Sequence, residues 1–140
     1  MRRLVYFVSI VLVFVVWKFN SAWMPIPKTV RYGMVTGVKP EKLAQYKELH
    51  AHPWPKVIEK IKECNIENYS IYLQKIENKY YLFSYFEYTG DDFDADMKKM
   101  AADTTTQRWW RETDPCQQPL PEAMANKQIW HRVEEVFHSN

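Results

Sequence analysis

The sequence predicts a single α+β domain in which an antiparallel sheet is covered on one face by helices. Three observations carry this. The 140-residue chain is one domain's worth. Period-two and helical apolar patterns alternate along it in the order strand, helix, strand, strand, helix, strand. Its two longest aromatic, β-branched runs are separated by only a short turn.

The first strand is Val30–Val38, where Val30, Tyr32, Met34, Thr36 and Val38 alternate onto one side. Lys39-Pro40-Glu41 then opens a helix, with proline at a first-turn position and an acid beside it. The helix runs from about Glu41 to Ala51, breaks at Pro53 and Pro55, and resumes to about Cys64 with Val57, Ile58 and Ile61 inward. Asn68–Lys75 and Lys79–Tyr88 form a hairpin turning at Ile76-Glu77-Asn78. A helix follows over Asp91–Ala102, with acids in its first turn and Phe93, Met97 and Met100 at helical spacing. Gln107–Glu112 is a further helical turn, and the proline-rich stretch Asp114–Pro121 is a loop. A last strand spans Ile129–His138. This order is that of the ferredoxin-like split βαβ arrangement. Its second sheet face, bearing Tyr and Trp side chains, then needs cover from a partner copy or a ligand.

Ahead of this domain stands a segment of different character. Arg2 and Arg3 precede an apolar run from Leu4 to Trp17, shorter than the ~20 residues that span a bilayer and within the ~7–15 of a signal-peptide core. Residues 1–23 are therefore expected to be a signal peptide or short membrane anchor, with Trp17 and Trp23 at the interface. Residues 24–140 would be the working domain, exported to a periplasmic or other extracytoplasmic location. Three of the 19 basic residues, Arg2, Arg3 and Lys18, lie in this segment and no acid does, so 16 basic side chains face 17 acidic ones in the remainder. A nucleic-acid partner would want a basic surface, and this composition offers none. With three glycines there is no phosphate-binding loop of the GxGxxG or GxxxxGK[ST] kind.

Candidate chemistry concentrates in a few side chains. Tyr46 and His50 are four apart and so share one helix face. His50 is the side chain suited to give and take a proton near neutral pH, although both positions also suit an ordinary amphipathic helix. Tyr69 and Tyr72 fall on opposite faces of one strand, Tyr69 with Ile71 and Leu73. Trp109 and Trp110 point about 100° apart on a helical turn, so they cannot fill one core. Tryptophan faces stack on sugar rings, and tryptophan is equally at home in dimer interfaces. His50 and His52, two apart, point to different sides and lack a third ligand, so no metal site is expected. Cys64 and Cys116 are compatible with one disulfide or with two free thiols.

Taken in order, the strings YKELHAHPWP, NIENYSIYL, AADTTTQRWW, TDPCQQPLP and EEVFH resemble the L-rhamnose mutarotase family over about Arg31 to His138. The resemblance implies a homodimeric α/β barrel and interconversion of the α and β anomers of a monosaccharide without a cofactor. It implies His50 as the acid–base residue, with Tyr46, Tyr69, Trp109 and Trp110 binding the sugar. L-Rhamnose is the leading substrate and another deoxyhexose the alternative. A non-catalytic sugar-binding module on the same fold is the competing function. One departure is visible: His50-Ala51-His52-Pro53-Trp54-Pro55 stands where the family has His-Asn-Pro-x-Trp-Pro.

Overall fold

The structure, a computed structural model, describes residues 29–139. The expected signal or anchor segment lies outside the described residues. Among the described residues, no helix is long and apolar enough to cross a membrane.

Strand β1 (Val30–Val38) occupies the centre of an antiparallel sheet. A 3-10 turn at Pro40–Lys42 leads into helix α1 (Leu43–Ala51), and α2 (Pro55–Glu63) follows a three-residue break. Proline at the first position of α2 suits its fixed φ and missing N–H to a place where no intrahelical bond is made. Strands β2 (Ile66–Ile76) and β3 (Lys79–Tyr88) form the hairpin, and β3 pairs with β1 along its whole length, Val30 opposite Tyr88 and Val38 opposite Tyr80. Helices α3 (Phe93–Ala102) and α4 (Thr104–Thr113) are capped by Asp92 and Asp103, whose carboxylates accept from the backbone N–H groups of Ala95 and Thr106. A 3-10 turn at Asp114–Cys116, the two-residue strand β4 (Gln117–Gln118), helix α5 (Pro121–Ala125) and strand β5 (His131–Val133) complete the described chain. The sheet order β2-β3-β1-β4, with β5 also against β1, is the predicted split arrangement.

The differences from expectation have local causes. The last strand is three residues rather than ten: β4 takes Gly37 and Val38 and β5 takes Gly33–Val35 on the same edge of β1. Beyond Val133 the alternation of apolar residues continues without a ladder, and an Arg31–Glu135 ion pair holds the segment instead. Ile58 is exposed rather than inward, because Val57, Ile61 and Cys64 already make the buried stripe of α2. The start of α4 was hidden by three threonines, which are poor helix formers until Asp103 caps them.

Cross-strand register divides the sheet into two faces. Tyr32 with Phe86, and Thr36 with Leu82, face the helices; Tyr32 and Phe86 pack into one core cluster and Leu82 into a second, while the Thr36 hydroxyl donates to the Ile129 carbonyl. Tyr72, Phe83 and Val35 line up on the other face, where Tyr72 is 62% and Phe83 38% exposed. That face carries tyrosine and phenylalanine; Trp54, Trp109, Trp110 and Trp130 all pack on the helical side, which corrects the expectation of tryptophan there. Cys64 and Cys116 are free, fully buried, and in different clusters.

Candidate active site

The centre of interest lies between the sheet and α1. The four-residue spacing brings Tyr46 and His50 together as parallel rings with centroids 4.0 Å apart. Tyr46 is 4% exposed and sits in the cluster with Val38, Leu82 and Cys116. Trp109, from α4, stands edge-on to His50 at 5.3 Å and edge-on to Trp54 at 5.4 Å. Arg108 lies over the Trp54 ring. Leu43, Tyr46, Lys47, His50 and Ala51 of α1 face Ile71, Leu73 and Leu82 of the sheet across a cavity of about 250 Å³. That is just below the ~300–1,000 Å³ of pockets for drug-sized ligands, a scale that suits one small ring. A comparable groove of about 280 Å³ between the β2–β3 turn and Pro119–Met124 holds none of the candidate residues.

His50 has a defined protonation state. Its Nδ1 lies 2.9 Å from the Tyr46 carbonyl oxygen, one turn back. A carbonyl can only accept, so Nδ1 carries the proton and donates it there. Burial pulls the imidazole pKa below its ordinary value, outweighing that hydrogen bond, so the resting ring is neutral at pH 7. Nε2 then keeps a lone pair. His52, by contrast, is exposed and paired with Glu48 on the outer side of α1, so the two histidines are not brought together.

Tyr69 joins the site through a β-bulge. The pairing of β2 with β3 shifts between Glu67 and Ser70, and Asn68 takes φ 50° there. Asparagine tolerates this left-handed backbone, and its side-chain amide donates to Glu87 at 2.6 Å. The extra residue lets Ile66 enter the core while Tyr69, Ile71 and Leu73 face the same, helix-covered side. Tyr69 meets Phe86 edge-on at 5.7 Å. It is 43% exposed as a whole, yet burial around its hydroxyl pushes that group up to about 12. The Tyr46 hydroxyl is raised still further, by burial first and then by the neighbouring Tyr69, Cys116 and Asp114. Both phenols therefore stay protonated and able to donate across the working pH range.

The tandem tryptophans part company, as their 100° offset requires. Trp109, 7% exposed, backs His50, while Trp110 is half-buried against the cluster containing Tyr32, Cys64 and Met100. Trp54 and Asp114 are neighbours of the site that the sequence did not single out. The proline on each side of Trp54 was the available signal, since it holds the residue in the extended break between two helices. Among the described residues, no group of three or more His, Cys, Asp or Glu is placed to hold a metal ion.

A sequence profile of L-rhamnose mutarotases matches residues 31–139. An L-rhamnose mutarotase of Oceanobacillus iheyensis is 30% identical over 108 residues, 77% of this chain and 96% of that protein. One from Mannheimia succiniciproducens is 30% identical over 109 residues, 78% and 97% of the two chains. The crystal structure of an L-rhamnose mutarotase from Formosa agariphila superposes with a TM-score of 0.59, at 23% identity, over 79% of this chain and 99% of that one.

Proposed function

The chain belongs to the L-rhamnose mutarotase family, and from that membership and the geometry of its site we propose that it exchanges the α and β anomers of L-rhamnose or a related deoxyhexose. The observation that carries this is the neutral His50 imidazole, its Nδ1 committed to the Tyr46 carbonyl and its ring at the wall of a cavity.

The chemistry needs one proton moved twice. His50 Nε2 takes the proton of the anomeric hydroxyl. The O1 electrons form the carbonyl, the C1–O5 bond breaks, and its electron pair goes to O5. The imidazolium just formed is the proton donor to O5, which regenerates neutral His50 and leaves the open-chain aldehyde. Rotation about C1–C2 and the reverse sequence close the ring on the other carbonyl face. No electron changes hands between molecules, so no redox cofactor is called for. General acid–base help of this kind is worth about 10²–10⁴-fold. Tyr46 and Tyr69 hydrogen-bond sugar hydroxyls, and the two tryptophans approach the sugar's C–H groups from different directions, Trp109 from behind His50 and Trp110, the more open of the two, from the adjoining cluster.

The exposed row of Tyr72 and Phe83 supports a homodimer in which two sheets face each other and close the barrel. The apolar run ahead of the domain supports export, with residues 1–23 as a signal or anchor. The deciding experiment is proton saturation-transfer NMR on residues 24–140 with L-rhamnose and a panel of hexoses. Saturating H1 of one anomer is expected to deplete the other only when protein is present. Line broadening without transfer would identify a sugar-binding module instead.

A further inference from the structure

We infer that Asp114 is an additional sugar-binding residue of this site, its carboxylate accepting hydrogen bonds from substrate hydroxyls beside Tyr46. The inference rests on the mutarotase reading of the site. Asp114 opens the 3-10 turn after α4, and its N–H closes that helix on the Trp110 carbonyl. Two residues on, Cys116 shares a core cluster with Tyr46, so the turn is packed against the site side of α1.

What sets Asp114 apart is that it is half-buried and unpaired. Among the described residues its carboxylate has neither a hydrogen bond nor an ion pair. Glu63, Glu87, Asp96, Asp103 and Glu135 are all held below the usual carboxylate range by hydrogen-bonding partners. Among the described residues Asp114 is the acid shifted upward, by burial, and its charge reaches the Tyr46 phenol without hydrogen-bonding it. Taking a carboxylate out of water without a partner destabilises the fold. A group in that state beside ligand-binding residues is matched to a partner that arrives with the ligand.

The surroundings specify the kind of partner. Three residues on, Gln117 is 5% exposed and its Oε1 has no partner among the described residues, while its Nε2 donates to the Thr113 carbonyl. His50 Nε2 presents a third acceptor. Acceptors on α1, on the turn that packs against Tyr46 through Cys116 and on the strand that follows it suit a ligand rich in O–H donors, and a carboxylate can accept two or more of them.

The test compares wild type with Asp114→Ala and Asp114→Asn by saturation-transfer kinetics, L-rhamnose calorimetry and thermal melting. Losing a hydrogen bond to a charged group is expected to raise KM and Kd about ten-fold or more in Asp114→Ala, with kcat less affected and melting at or above the wild-type temperature. Asp114→Asn, which keeps an acceptor oxygen, is expected to fall between. KM and Kd within two-fold of wild type in Asp114→Ala would overturn the inference. So would a lowered melting temperature in both variants with sugar affinity per folded molecule unchanged, since that marks a structural role. If wild type binds sugar without exchanging it, the mutarotase reading fails and the calorimetric Kd values alone decide Asp114. No binding by wild type overturns both.

Discussion

His50 gives the site a pH dependence of definite sign. Its folded pKa lies below the ordinary value, so the neutral form is favoured by folding and by the proposed proton transfer alike. Catalysed exchange, after subtraction of the spontaneous rate, is expected to be flat above about pH 6.5 and to fall as pH drops through the lowered pKa. Stability follows the same direction: the contribution of the buried neutral ring is complete above the unfolded pKa and is lost as pH falls through the folded one. Rates that rise on acidification through this window would show that the imidazolium is the resting catalyst. His50→Ala is expected to lose the catalysed rate, about 10²–10⁴-fold, while L-rhamnose still binds by calorimetry. Trp109 calls for a gentler change. Its burial against His50 and Trp54 means that Trp109→Ala costs about 3–5 kcal/mol of stability, which would obscure any effect on the sugar. Trp109→Phe is expected to weaken binding more than it slows the bound sugar, read as a rise in KM at near-constant kcat.

The β2 bulge decides which side chains the site receives. Were the same residues paired without a bulge, strict alternation would put Tyr69 and Ile66, three apart, on opposite faces, and one of them would be lost to its role. Asn68→Val is expected to lose about 1–2 kcal/mol for the strained φ, seen as a lower melting temperature. Deleting Asn68 would leave a plain ladder with Tyr69 opposite Phe86, still on the helix-covered side, so catalysed exchange is expected to persist; Tyr69→Phe is expected to raise KM by removing its hydroxyl. A second constraint sits on β1, where a Cβ at Gly37 would meet the Gln118 carbonyl oxygen at 2.6 Å. Gly37→Ala is expected to cost about 1–3 kcal/mol in chemical unfolding, because the clash is with backbone. The strands β1 and β3 and the break between α1 and α2 were legible because period-two patterning and proline speak directly for them. The shared helix face of Tyr46 and His50 and the divergence of the two tryptophans were legible from spacing, whereas the roles proposed for them come from the family resemblance. The bulge was not, since it depends on one asparagine accepting a left-handed backbone. Neither α5 nor the shortened β5 was legible, because both depend on how β4 and β5 divide one edge of β1.

As a whole, the molecule has used one sheet face and left the other open. Among the described residues, the tryptophans, the helices that pack on the core clusters and the proposed chemistry lie on one side, and Tyr72, Phe83 and Val133 are exposed on the other. If two copies meet there, Phe83→Asp is expected to halve the mass measured by light scattering while leaving the helix-side site intact. A wild-type mass of one chain would remove the dimer from the proposal. The two cysteines, meanwhile, are sealed in separate clusters, and burial pushes both thiols up, away from the reactive thiolate. The proposed export would carry the chain from reducing to oxidising surroundings. With neither sulfur available to either once the chain is folded, the finished domain is indifferent to the redox character of its surroundings, and its melting temperatures with and without dithiothreitol are expected to coincide.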